Sequence, residues 1–292
     1  MVTEIEEGFV TVTAFSEIKD IYEKVFEKEN IKTLYKIRNW RERYHPEFLG
    51  KGEIYFTPPL ELNDPFDITR PVKFDTSIIE NSEFFQRLVK GATELFGINP
   101  GYDAEIFAKK KLDEIRLDPN SYFLKNYEDY VNSENYNNSV GVFSVTTNPC
   151  DEQLWGYYGG GLKGFAIGFG PIALCEELFS RGALIDYTDE IRISKIINKS
   201  LKENAMSFFQ KNEKWKFESE FRFVRMIDPE QKRRKHHFQP QIVTEIILGP
   251  RTPKEDEKEI LEIAVSRYPQ AKLLRLKCDY AKGNMFLQPL HN

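Results

Sequence analysis

Residues 215–226 read "WKFESEFRFVRM". Taken with a period of two, Trp215, Phe217, Phe221 and Phe223 fall on one side, with Ser219 as the interruption, and Lys216, Glu218, Glu220 and Arg222 fall on the other. Successive side chains of a strand point to opposite faces, so this alternation predicts a strand with one apolar face buried. The charged face has two readings. It is solvated, with Glu218, Glu220, Lys216 and Arg222 pairing across strands for about 0.2–1 kcal/mol each. Or it lines a cleft in which two carboxylates stand together.

Working outward, "IKTLYKIRNW" (31–40) predicts a strand with Lys36 and Arg38 on one face. "EIYFTPPLELNDPFD" (53–67) reads as a strand broken by Pro58 and Pro59, then a turn at Asn63-Asp64-Pro65 with Phe66 plugging the core. Asn and Asp favour such turns by bonding the backbone just ahead. Further strands are expected in 140–149, 163–170, 183–190, 243–250 and 271–280. Helices are expected over most of 77–132, at 192–213 and 254–269, with a short one opening at Asp151 and a loop at 133–139. Residues 1–30 read as a strand, "FVTVTAF", and a helix with Ser16 as N-cap. Strands and helices do not alternate strictly. The expectation is an α+β protein, helices packed on a largely antiparallel or mixed sheet, with residues 1–30 as an addition to one main domain at 31–292.

With 292 residues, 40% of them hydrophobic, the chain can bury a sizeable core. Its net charge of −5 weighs against a broad nucleic-acid binder, which carries excess positive charge. The basic run "QKRRKHH" (231–237) reads as an exposed hairpin tip. No apolar run is long enough to span a membrane, and the acidic "MVTEIEEGFV" lacks the order of a signal peptide. Cys150, Cys175 and Cys278 form no CxxC and read as reduced thiols, so the chain is expected to be cytoplasmic. Its four histidines argue against a His-rich metal centre, and no metal is predicted.

Several motifs occur in order: "LYKIR" (34–38), "GEIYFTPPLELNDPFD" (52–67), "VFSVTTNPCDEQLWGYYGGGLKGFAIGF" (142–169), "KWKFESEFRF" (214–223) and "EIILGPR" (245–251). Over about residues 33–290 this resembles the bacterial "domain of unknown function 2971" family, chiefly through its Asn-Asp-Pro-Phe and Trp-x-x-Glu-x-Glu-Phe-Arg segments. That family often has a polar segment with a His after Trp-x-x-Tyr. This chain has Gly159, Gly160 and Gly161 there, which either bring backbone close to a ligand or make a mobile loop. The layout is more distantly similar to ADP-ribosyltransferases, which implies a split sheet and NAD as substrate. On that likeness Lys36 or Arg38 matches the first-strand residue that holds NAD, Thr57 the second-strand hydroxyl residue, and Glu218 or Glu220 the essential glutamate. Lys36 in place of His or Arg is a departure.

Cleaving the nicotinamide–ribose bond develops positive charge on the sugar, which a carboxylate stabilises. A second carboxylate would activate the acceptor. Arg38 or Lys36 would bind the pyrophosphate, with Arg222 joining them. Trp155, Tyr157 or Tyr158 would stack on nicotinamide or adenine, unless Trp155 is core. Asn63, Asp64 and Asp67 hold a ribose or a metal, or serve the turn.

Three functions remain open. The first is an NAD-using transferase or NAD glycohydrolase of the toxin or phage-defence kind, its acceptor macromolecule unspecified. The second is a metal-dependent nuclease with Asp64, Asp67, Glu218 and Glu220 around Mg²⁺. The third is a non-enzymatic module that binds a nucleotide or a protein.

Overall fold

The alternation at 215–226 survives over only part of its length. Residues Glu213–Glu218 form a 3-10 helix capped by the Asn212 side chain, which accepts from the Lys214 N–H. Ser219 takes a left-handed backbone (φ 43°, ψ 49°), and the strand is Glu220–Met226. Local side-chain caps compete with extended backbone, which is why the expected strand starts five residues late. The structure, a computed structural model, describes residues 15–69, 71–196, 207–228 and 230–290.

In chain order the chain forms α1 (Ser16–Lys28), β1 (Leu34–Arg38), α2 (His45–Gly50), β2 (Glu53–Tyr55) and β3 (Val72–Asp75). A helical stretch follows: α3 (Ser82–Phe96), α4 (Tyr102–Leu117), α5 (Pro119–Val131) and α6 (Glu134–Ser139). Next come β4 (Val140–Thr146), α7 (Glu152–Tyr157), β5 (Phe165–Phe169), α8 (Pro171–Leu178), β6 (Arg181–Leu184), β7 (Asp186–Tyr187) and β8 (Arg192–Lys195). The last are β9 (Gln210–Lys211), β10 (Glu220–Met226), β11 (Lys235–His237), β12 (Val243–Leu248), α9 (Lys254–Arg267), β13 (Lys272–Asp279) and β14 (Asn284–Pro289).

Eight strands make one sheet in the order β14-β13-β12-β5-β1-β4-β10-β6. Neighbours are antiparallel except β12 and β13, which run parallel with α9 connecting them. The molecule is thus α+β. One face of the sheet carries Phe143, Phe165, Phe169, Phe221 and Phe223, covered by α1, α2, α8 and α9. Tyr22 and Phe26 of α1 pack on Phe221, so this helix is part of the main core. Burying a Phe contributes about 1.5–3 kcal/mol. Phe15, not Ser16, is the N-cap of α1, and no side chain caps it. The strand expected at 9–15 lies mostly outside the described residues.

Other expectations change. The helix expected at 192–213 is replaced at both ends: Arg192–Lys195 pairs in parallel with β3, and Gln210–Lys211 pairs with β7. Residues 197–206 lie outside the described ones. The 133–139 loop is helix α6, capped by Ser133 accepting from Tyr136 N–H. Helix α8 and strand β14 were not foreseen. Phe66 is 53% exposed, and Ile68 is buried two residues later instead.

One irregularity of the sheet positions the site. β1 is registered with β5 along its whole length, Leu34↔Phe169 to Arg38↔Phe165. β4 is registered with β10 from Glu220↔Thr146 to Met226↔Val140. Between themselves β1 and β4 meet at one registered pair, Tyr35↔Thr146. Further along β4 its edge is taken by Thr57, which exchanges two backbone hydrogen bonds with Val142 at 2.8 Å each. Ser144 lies between these two pairings, facing an opening in the sheet.

Candidate functional site

The opening is a cavity of about 220 Å³. Lys36, Arg38, Thr57, Asn63, Tyr158, Glu218 and Glu220 line it, together with Tyr35, Asp67, Ser144 and Lys211. Most of the candidates named from the sequence, Asp67 among them, therefore converge. They come from four separate parts of the chain, and β4 lies between the strands that carry Lys36 and Glu220.

The charged face of β10 is not solvated. Glu220 is 2% exposed and Arg222 1%. Arg222 donates from Nε and Nη2 to the two oxygens of Glu220, at 2.6 and 2.8 Å. It also grips Asp67 through Nη1 and Nη2, at 2.8 and 2.9 Å, and donates to the Phe208 carbonyl. Its donors are committed to the protein, so Arg222 is not a substrate-binding residue but the fixed support of two carboxylates.

Lys211 completes this network, and nothing in the sequence marked it: it lay inside an expected helix. Its Nζ donates to Glu218 Oε2 and stands 3.2 Å from Asp67 Oδ2 and 3.5 Å from Glu220 Oε2. The left-handed Ser219 ends the 3-10 helix and opens β10, so Glu218, last in the helix, and Glu220, first in the strand, reach the same ammonium. On the other side, Tyr158 Oη donates to Glu218 Oε1 at 2.5 Å and accepts from Asn63 Nδ2 at 2.9 Å.

The two glutamates are driven apart. Burial would raise Glu220, but Arg222 and Lys211 outweigh it and pull the carboxyl down to about 2. Glu218 is raised: burial dominates, and the neighbouring Glu220 adds to it against Lys211. Burial lowers Lys211, yet Glu220, Asp67 and Glu218 more than reverse that and keep it charged. Paired carboxylates with opposite displacements are the pattern of an acid–base site.

The β1 cations have different surroundings. Lys36 Nζ donates to the Ser144 carbonyl at 2.6 Å. The Arg38 guanidinium lies over the Phe48 ring and makes no hydrogen bond or ion pair to any described residue. Burial lowers it to about 10, so it remains a cation at neutral pH. A partly buried guanidinium without a partner is suited to a planar anion such as a phosphate. The Thr57 hydroxyl likewise bonds to no described residue.

Two further residues are corrected. Trp155 is wholly buried, its Nε1 donating to the Pro149 carbonyl at 2.7 Å, and cannot stack on a ligand. Asp64 serves the turn, with Oδ1 accepting from Phe66 N–H at 3.2 Å, and it does not line the cavity. Of the four carboxylates considered for a metal, Asp64 lies outside the cavity lining. Asp67, Glu218 and Glu220 gather around the Lys211 ammonium, and among the described residues no group of three or more His, Cys, Asp or Glu side chains is arranged for a metal ion.

The three glycines make a tight turn. A Cβ on Gly160 (φ 61°) would come within 2.6 Å of the Asn39 side chain, and one on Gly159 within 2.8 Å of Trp155. In the basic run, Arg234 donates to the carbonyls of Phe56, Val140 and Asn137, and Lys235–His237 pairs with β2. No helix among the described residues is long and apolar enough to cross a membrane. Compared with known protein families, curated proteins and solved structures, the chain matches none.

Proposed function

We propose that this cavity cleaves the N-glycosidic bond of NAD, releasing nicotinamide and passing the ADP-ribosyl group to water or to an acceptor. The observation that carries the proposal is the Glu218–Glu220 pair, oppositely displaced in acidity, in a cavity that also holds the unpartnered Arg38 guanidinium. The single meeting point of β1 and β4 supports it, since an ADP-ribosyltransferase-like site needs a split sheet.

Glu220 supplies the permanent negative charge. Arg222 and Lys211 hold it in place, so no reorganisation is needed as the ribose carbon becomes cationic. Glu218 is the proton acceptor for the incoming nucleophile, since its raised pKa makes it the more basic of the two. Tyr158 and Asn63 orient it. Arg38 binds the pyrophosphate. Atoms balance: the C1′–N bond breaks, the electron pair leaves with neutral nicotinamide, and the nucleophile's proton goes to Glu218.

The test is nicotinamide release from NAD, with and without cell lysate as a source of acceptor. Glu218→Gln is expected to fold and to lose activity by about 10²–10⁴-fold, the usual contribution of a positioned base. Glu220→Gln should also lose turnover, and should move the pH inflection of Glu218 downward, because the neighbouring charge that helps raise it is gone. Full activity in both variants, or no nicotinamide release under either condition, rejects the proposal.

A further inference from the structure

Two lysines reach this cavity, and their surroundings differ in kind. Lys211 Nζ lies within 3.5 Å of three carboxylates. Lys36 Nζ has no carboxylate at ion-pair distance among the described residues. Its hydrogen bond goes to the neutral Ser144 carbonyl, and the Phe143 ring lies 5.2 Å away. Arg38 follows two residues later on the same strand face. An ammonium partly withdrawn from water without a counter-ion, beside a guanidinium, holds its proton less firmly. Burial and then Arg38 accordingly hold Lys36 well below the usual lysine range, against the weaker pull of Glu220 and Glu218. In its neutral form the amine can still donate one N–H to the Ser144 carbonyl while keeping a lone pair.

We propose that Lys36 is an amine nucleophile that condenses with the carbonyl carbon of a small phosphate-bearing aldehyde, whose phosphate Arg38 holds. The Nζ lone pair forms the C–N bond while the carbonyl π pair moves onto oxygen. That oxygen leaves as water, carrying the two hydrogens that were on the amine. The product is an imine, and nothing is oxidised or reduced. Glu218, in the same cavity, relays the proton between nitrogen and oxygen. Open-chain ribosyl phosphates such as the aldehyde form of ADP-ribose belong to this class. The inference takes that substrate from the proposed NAD reaction, but the amine chemistry does not require it.

The probe is pyridoxal 5′-phosphate, an aldehyde carrying a phosphate. The full chain is incubated with it near neutral pH, reduced with borohydride and mapped by peptide mass spectrometry. Lys36 is expected to carry at least about tenfold more label than exposed lysines such as Lys24 and Lys258, a tenfold ratio corresponding to one pKa unit of amine availability. Raising the pH should increase the surface labelling and leave Lys36 nearly unchanged, and Arg38→Ala should reduce labelling at Lys36. Label spread over surface lysines, with Lys36 no higher than they are, overturns the inference. The wild-type chain alone decides this, so the folding of a Lys36 variant is not at issue. Nicotinamide release is scored separately: label at Lys36 without release rejects only the NAD reaction, and release without label rejects only the amine.

Discussion

Arg222 sits under Glu220 and Asp67 with its whole guanidinium engaged. Removing it leaves two buried carboxylates to Lys211. Arg222→Met should therefore lower stability by about 3–5 kcal/mol, read as a shifted midpoint with unchanged slope in urea. Glu220 carries a pH signature of defined sign. Its carboxyl is held at about 2 against an ordinary 4.5, so the unfolded chain takes up the proton first as pH falls. The stabilisation is complete above pH 4.5 and is lost between 4.5 and 2, roughly 3 kcal/mol in all. Urea midpoints measured across this range should fall steeply, and less steeply in Glu220→Gln. His45, lowered to about 4 by burial and by Arg38, loses its contribution between pH 6.5 and 4. A His45→Gln background separates the two windows. Charge alternating with apolar residues sets Glu218, Glu220, Lys36 and Arg38 apart in the sequence, and the resemblance to ADP-ribosyltransferases is what makes them candidates. Lys211 was not legible, because a lysine that holds three carboxylates looks in sequence like any lysine on a solvated helix.

At the scale of the element, the junction between the 3-10 helix and β10 is decisive. Ser219 occupies left-handed space at a cost of roughly 1–2 kcal/mol, and it alone separates the two glutamates. Thr147 anchors it, its N–H and hydroxyl both donating to the Ser219 carbonyl at 3.0 and 3.2 Å. Ser219→Gly should raise stability by about 1 kcal/mol and retain nicotinamide release. Ser219→Val should lower both, because a β-branched residue resists this backbone. Thermal unfolding and the nicotinamide assay on the same samples check this; an active, stable Val variant would show that the turn does not set the carboxylate geometry. Alternation across 215–226 was misleading because the residues on either side of Ser219 satisfy two different structures. Trp215 and Phe217 pack with Tyr157, whereas Phe221 and Phe223 enter the main core.

At the scale of the whole molecule, the site depends on two strands that part. β1 stays with β5 and β4 stays with β10, while Thr57 closes the far end of the gap. A ligand that fills the gap bridges both halves of the sheet and should stabilise the fold as one unit. ADP-ribose at a hundredfold excess over its Kd should add about 2.7 kcal/mol to stability. Arg38→Ala should abolish that gain while costing the free protein little beyond the contact with Phe48, since the guanidinium has no hydrogen bond or ion pair to lose. A thermal-shift titration of both proteins checks it, and equal shifts would remove Arg38 from the binding site.

Local pattern accounts for most of the elements. β-branched and aromatic runs gave β1, β4, β5, β12 and β13, and 3.6-residue periodicity gave α3, α4 and α9, which together point to an α+β protein. It failed where short segments pair with distant ones: Arg192–Lys195 became a strand because β3 lies beside it, and Gln210–Lys211 because β7 does. Periodicity reports which face a residue occupies, not which strand covers that face. The charges near residue 36 and those near residue 220 are therefore visible in the sequence, each as part of its own strand. That β4 comes between them, stays apart from β1 until Thr146, and lets burial and counter-charge drive Glu218 and Glu220 apart and separate Lys36 from Lys211 is decided by long-range packing. Electrostatic environment depends on distances in space, and these exist only once the chain has folded.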